Sequence, residues 1–393
     1  MRQTKVILLT QLLVVLVMIL VGCGAPTPAK PGESMSPSSN NESMKSSTDN
    51  LSKETTGSAV STDLSGIKDI TVAANGGKIE RAIRDVIGPK FKEKTGISIN
   101  FIAGLSGEIL SKVELQKNAP QIDVAFYVPL DVKRAQDKGL IEEIDSTNVP
   151  NYAHLDERFI AVDGAGAPVF GLTIAPLYNT EVFAKNGWKT PVSWNDLINP
   201  QYGGKTVIAD IGNDWGFTVL YNLALANGGT LDDLTPGLEK AKELARFSNT
   251  FYKNSTQMMP AFQQGEGVIG VMGSYATADL AVSGLPVKMI VPKEGSPLQA
   301  FSATIVKGTP KKAAAEAFID YLLSDEAQAL IAKEAFYPVV QSVGIDPQYV
   351  DIIGYSKDDP LYRPDILKLA EIRSTWVDRW NQEVIPLLGK GIK

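Results

Sequence analysis

The chain has one cysteine and one histidine in 393 residues. A single thiol excludes an internal disulfide framework. One imidazole leaves little for a zinc site, which usually draws on several Cys or His ligands. A Ser-His-Asp arrangement would have to be built on His154, which stands between Ala153 and Leu155 and reads as an ordinary histidine. No cofactor and no metal are expected. Positive charge is also in short supply, with 38 Lys and Arg against 44 Asp and Glu and a net charge of −6. Sequence-independent nucleic-acid binding rests on clustered cations, so nucleic acid is not an expected partner. There is no internal repeat.

The one cysteine is placed where it says most. Cys23 follows Leu20-Val21-Gly22, and before these lie Arg2, Lys5 and an apolar run from Val6 to Leu20. That run is short for a bilayer span, which needs about 20 apolar residues. A basic start, an apolar stretch and small residues before a cut site describe a secretory signal. The lone cysteine behind it resembles the lipobox of bacterial lipoproteins. The resemblance implies removal of residues 1–22, diacylation of Cys23 and a membrane tether outside the cytoplasm. The competing reading is a free cysteine beside an N-terminal anchor helix. Cleavage would remove Arg2 and Lys5, leaving 36 basic against 44 acidic residues and a net charge of −8.

Residues 23–65 are rich in Ser, Thr, Asn and Pro and nearly lack aliphatic side chains. Such a stretch buries too little apolar area to offset its ordering entropy, so it reads as a flexible tether. Its length leans toward a Gram-positive surface. The remaining residues, 66–393, are enough for two domains. They read as an α/β protein. Asp69–Ala74 is a first strand, Ile79, Ile83, Val86 and Ile87 recur at helical spacing, and Gly96 stops that helix. Ile97, Ile99 and Phe101 alternate, as do Ile122, Val124, Phe126 and Val128. A second set follows in Lys205–Ala209, a helix from Phe217 to Ala226, Val268–Met272 and Val287–Val291. Ser324 caps a late helix. The last helix carries Trp376 and Trp380 on its apolar face, where packing is the plainer role.

Phe170–Asn179 (FGLTIAPLYN), Trp194-Asn195-Asp196-Leu197, Asn199-Pro200-Gln201-Tyr202 and Gly204-Lys205 stand in an order and spacing that resemble extracellular solute-binding proteins of bacterial ABC importers. The branch is the one holding polyamine-, ferric-iron- and aminoethylphosphonate-binding proteins. Pro292-Lys293-Glu294-Gly295, Tyr337-Pro338 and the stretch TWVDRWNQEV extend the resemblance over most of 69–385. It implies a two-lobed periplasmic-binding-protein fold (type 2) with two crossing hinge strands, near Gly171–Ala175 and Val291–Ala303. Lobe 1 would hold 66–172 plus 303–393, and lobe 2 would hold 173–302. Solute would bind between them, hinge closure would trap it, and ABC permease subunits would receive it. The protein would act as a monomer and without catalysis.

Four loops are expected at the cleft: Asn75-Gly76-Gly77, Ser106-Gly107, Asn213-Asp214-Trp215-Gly216 and Gly273-Ser274-Tyr275. Each opens a helix, whose N-terminal N–H groups favour phosphate, phosphonate or carboxylate. Tyr127 and Tyr337 are candidates to stack on or hydrogen-bond an organic solute. Departures from the relatives matter as much. Met272 stands where polyamine binders carry a Trp, and Gln299 and Phe301 stand where they carry a Trp and an Asp. Losing those groups would cost an amine roughly 1–3 kcal/mol apiece, although Asp210 and Asp214 offer negative charge and Trp215 an aromatic face. Ferric-iron binders present two adjacent tyrosines, whereas Tyr275 is followed by Ala276. The expected ligand is a small polar organic molecule, phosphonate- or carboxylate-bearing or a compact amine. A solute-sensing lipoprotein and a hydrolase are the alternatives.

Overall fold

The computed structural model describes residues 64–253, 255–356 and 358–391; the expected signal peptide, Cys23 and the tether up to residue 63 lie outside them. Eleven strands follow in chain order: β1 Asp69–Ala74, β2 Ser98–Ala103, β3 Val124–Tyr127, β4 Ile141–Glu142, β5 Ala167–Asn179, β6 Thr206–Ala209, β7 Phe251–Tyr252, β8 Ile269–Gly273, β9 Val287–Met289, β10 Ser296–Val306 and β11 Leu361–Tyr362. They form one path ordered β2-β1-β3-β10-β5-β8-β6-β7, with β4 and β11 on β10 and β9 on β5. Parallel pairs β1–β2 and β1–β3 build one end, and parallel β6–β8 builds the other.

Two long strands join the ends. β5 pairs antiparallel with β10 over Ala167–Thr173, with Gly171 opposite Ala300, and then leaves it to pair with β8 from Ile174 to Tyr178. β10 does the reverse, pairing with β5 at its start and with β3 from Ser302 to Ile305. β5 is buried from Ala167 to Tyr178 on both faces, which explains its unbroken apolar run. The second crossing begins at Ser296, not at Val291, because Gly295 (φ 94°) turns the chain first.

Helices cover the strands as their apolar spacing requires. The helix that opens at Lys78 widens over Ala82–Ile87 before continuing as Gly88–Thr95. The widening meets Pro89, which has no N–H to close an ordinary turn. Gly96 ends that helix in the left-handed conformation. Ser324 caps Asp325–Lys333, its hydroxyl accepting from the Ala327 N–H.

Two large apolar cores lie on either side of the crossing. One gathers Ile70, Val72, Phe91, Phe126, Phe170, Phe318 and Phe336, and the other gathers Leu177, Trp194, Ile208, Leu220, Val271 and Trp380. The last helix, Ile366–Glu383, belongs to the second core through Ile366, Leu369, Trp376 and Trp380. The sequence reading puts this helix in lobe 1, whereas its apolar face packs in the second core. Its apolar face is satisfied by Phe251, whose ring lies 5.2 Å from that of Trp380. A third, smaller core holds Ile109, Val113, Tyr127 and Val132 beneath the helices Ser106–Leu115 and Pro129–Asp137.

Candidate functional site

Where the crossing strands leave one core for the other, the side chains open a crevice. Two adjoining cavities of about 40 Å³ each share Pro129, Asp214 and Gln299. Their floor is Leu172 and Ile174 of β5 with Gln299, Ala300 and Phe301 of β10. One wall is Val128-Pro129-Leu130, where β3 passes into the helix Pro129–Asp137. The opposite wall is Asp214 and Trp215, which start the helix Asp214–Ala226, together with Tyr275, near the start of Ser274–Val282. Arg373 and Leu369 of the last helix close the side. Three helix N-termini therefore face one crevice, at the strand ends where open α/β sheets usually bind ligands.

The crevice walls are held rigidly. The Asn213 carboxamide oxygen accepts from the Trp215 N–H at 2.9 Å, and its Nδ2 donates to the Lys253 carbonyl at 3.1 Å. Trp215 and Tyr275 meet edge to face with ring centres 6.2 Å apart, and Tyr275 packs on Phe336 of the first core at 5.0 Å. Tyr275 and Phe301 each touch both large cores. Gly273 lies between these rings. A Cβ there would lie 3.1 Å from both Trp215 and Tyr275, tighter than ordinary contact, so a larger residue would press the two rings outward by a few tenths of an ångström. Burial, and secondarily the Asp279 carboxylate, pushes the Tyr275 phenol up to about 12. The group is neutral and offers a hydroxyl at any ordinary pH.

Charge is arranged in pairs. Asp214 Oδ1 lies 2.7 Å from Arg373 Nη1, and the guanidinium also donates to the Gly212 carbonyl at 3.0 Å and sits 5.0 Å from the centre of the Phe217 ring. Lys78 Nζ lies 2.5 Å from Asp279 Oδ1. Below Gln299, Arg158 pairs with Asp156 at 2.6 Å, while Arg363 donates to the Ile160 carbonyl at 3.1 Å.

The expected site residues divide accordingly. Asp214, Trp215, Tyr275 and Phe301 line the crevice together, and Asn213 caps the helix that carries two of them. Asn75-Gly76-Gly77 instead leads into the helix of Lys78, with Gly77 at φ 74°. Ser106 is a brace: its buried hydroxyl accepts from the Val128 N–H and donates to Asp131 Oδ2 at 2.7 Å, fixing the first wall, while Gly107 is exposed. Tyr127 packs in the third core, fully buried, and not on the crevice lining. Tyr337 is buried beside β5, its backbone bonded to Gly171 and its hydroxyl donating to the Ile353 carbonyl at 2.6 Å. Ser274, also fully buried, accepts from the Thr173 N–H at 3.4 Å and so ties the helix start to β5. Pro129, Leu172 and Arg373 line the site without having been expected there. No group of His, Cys, Asp and Glu suited to a metal ion exists among the described residues.

This arrangement, two α/β halves joined by a pair of crossing strands with a crevice beside them, is that of a binding protein. Residues 87–355 match the bacterial extracellular solute-binding protein family, and the chain belongs to it. An uncharacterized protein of Haemophilus influenzae is 28 % identical over 312 residues, 75 % of this chain and 85 % of that one. Iron uptake protein A1 of Synechocystis is 24 % identical over 289 residues, covering 68 % of this chain and 76 % of that protein. The spermidine/putrescine-binding periplasmic protein of Escherichia coli is 23 % identical over 256 residues, covering 63 % and 72 %. In structure, the fold is similar to an ABC transporter protein of Clostridium perfringens, with TM-score 0.68, 23 % identity and 80 % and 99 % of the two chains covered. It is also similar to the periplasmic binding protein AfuA of Actinobacillus pleuropneumoniae with fructose-6-phosphate bound, at TM-score 0.64, 24 % identity and 81 % and 98 % coverage. The protein is an extracellular solute-binding protein. It belongs with binding proteins and not with enzymes.

Proposed function

We propose that the protein captures a small polar organic solute bearing an anionic group, holds it in the crevice over β5 and β10, and presents it to its permease. The observation that carries this reading is the convergence of three helix N-termini on one crevice, from Pro129, Asp214 and Ser274. Their positive dipole ends favour phosphate, phosphonate or carboxylate. Asp214, the carboxylate that an amine would need, is committed to Arg373. Each cavity has room for about three water-sized groups, which suits a compact head group. The AfuA neighbour with fructose-6-phosphate bound supports the class; the relatives named for iron and for spermidine mark the competing ones.

In this reading lobe 1 takes 66–172 with 303–355, and lobe 2 takes 173–302 with the last helix. Cys23 carries the lipid, the tether holds the monomeric capture domain near its permease, and the long Ser/Asn stretch fits a Gram-positive surface. Calorimetric titration with fructose 6-phosphate, inorganic phosphate and citrate against putrescine and spermidine tests the solute class. Binding of an anion and not of an amine is expected, and the reverse overturns it. Cys23→Ser should release the protein into the medium, while retention in the membrane fraction would overturn the anchor.

A further inference from the structure

Among the described residues that line the two joined cavities, Asp214 and Arg373 are the charged ones. They come from different elements, the start of Asp214–Ala226 and the middle of Ile366–Glu383, and meet at 2.7 Å. Arg373 is held from three sides, by Asp214, by the Gly212 carbonyl at 3.0 Å and by the Phe217 ring at 5.0 Å, and its side chain is 19 % exposed. Asp214 and Gly212 account for two of the five N–H donors that a guanidinium carries. The rest are available to a ligand that enters beside Gln299 and Tyr221.

We propose that Arg373 sets the sign of the charge this crevice accepts. It cancels the Asp214 carboxylate and offers a planar donor set to an anionic group on the solute. The proposal rests on the crevice being the solute site and names the residue that makes it select an anion. Without the guanidinium, Asp214 faces the cavity uncompensated, repels an anion and attracts an amine. The aromatic faces of Trp215, Phe217 and Tyr221 stand around that position and would hold such a cation. Lysine would replace the charge but not the fork that serves Asp214 and Gly212 at once.

Thermal-shift and calorimetric titrations of the full chain test this, with fructose 6-phosphate, inorganic phosphate and citrate as anionic probes and putrescine and spermidine as cationic ones. Arg373→Met should lose at least tenfold in affinity for the anion that the unaltered protein binds and should gain measurable amine binding. Adding Asp214→Asn should abolish the gain, and Arg373→Lys should recover part of the anion affinity. An Arg373→Met protein that keeps anion affinity within twofold and ignores amines overturns the inference while leaving the proposed function standing. If the unaltered protein prefers amines, the anionic reading falls; a further tenfold gain in amine affinity for Arg373→Met would still uphold Arg373 as the selector. If Arg373→Met does not fold, Asp214→Asn carries the test. Freeing Arg373 should raise anion affinity at least threefold, and no change or a loss overturns the inference. No response of any variant to any probe overturns both.

Discussion

Lys78 Nζ and Asp279 Oδ1 are 2.5 Å apart, and the two residues stand on helices that follow strands at opposite ends of the sheet. Lys78 opens the helix after β1, and Asp279 lies in the helix after β8. Their side chains are 11 % and 33 % exposed, so the pair is partly shielded from solvent. With Tyr275 against Phe336, it ties the helix Ser274–Val282 to the first core and the helix after β1. Such a pair contributes roughly 1 kcal/mol, enough to shift a closing equilibrium severalfold. Lys78→Met, which keeps the apolar stem, should enlarge the radius of gyration measured by X-ray scattering and weaken solute binding about threefold to tenfold. Unchanged scattering and affinity would remove the pair from the closing contact.

The buried tyrosines make a pH prediction. Burial raises the Tyr275 phenol from an ordinary 10.0 to about 12, and raises Tyr127, Tyr221 and Tyr337 further in the same direction. The unfolded chain loses these protons first, so above pH 10 the folded state binds more protons than the unfolded one. Stability is therefore fully present below pH 10 and falls as pH rises through 12. Tyr275 alone accounts for about 2 kcal/mol by pH 12. Urea unfolding between pH 8 and 11.5 should show a flat region and then a decline. Tyr275→Phe should soften the decline, and an equal slope in both proteins would contradict the assignment.

Gly171 is the point where β5 meets Tyr337. The two residues exchange backbone hydrogen bonds of 3.1 and 2.7 Å, and a Cβ on Gly171 would lie 2.5 Å from the Tyr337 carbonyl and 2.9 Å from the Phe159 ring. Gly171→Ala must push the crossing strand away from its neighbour, at a cost of about 1–3 kcal/mol. A thermal midpoint several degrees lower is expected, and an unchanged one would mean that this contact yields freely.

Much of this architecture could be read in the chain because local signals agreed with packing. β1 begins and ends where the alternation in Asp69–Ala74 does, and Gly96 and Ser324 stop and start helices as their chemistry requires. Trp194, part of the stretch that carries the family resemblance, is buried with its Nε1 donating to the Gly295 carbonyl at 2.8 Å. The last helix was harder to place, because its amphipathic face says that it packs but not against which core. Arg373 was missed for that reason, since nothing local marks a cation whose partner, Asp214, is distant in sequence. Tyr127 misled in the opposite sense. Its position at a strand end was legible, but its ring lies under two helices in the third core.

The measurement that bears most directly on the central claim is native mass spectrometry of the protein purified under mild conditions. A small organic acid, such as a phosphate ester, phosphonate or carboxylate, should be released on denaturation and be absent from the Arg373→Met protein. A co-purified amine or iron, or an acid retained equally by Arg373→Met, would contradict the claim.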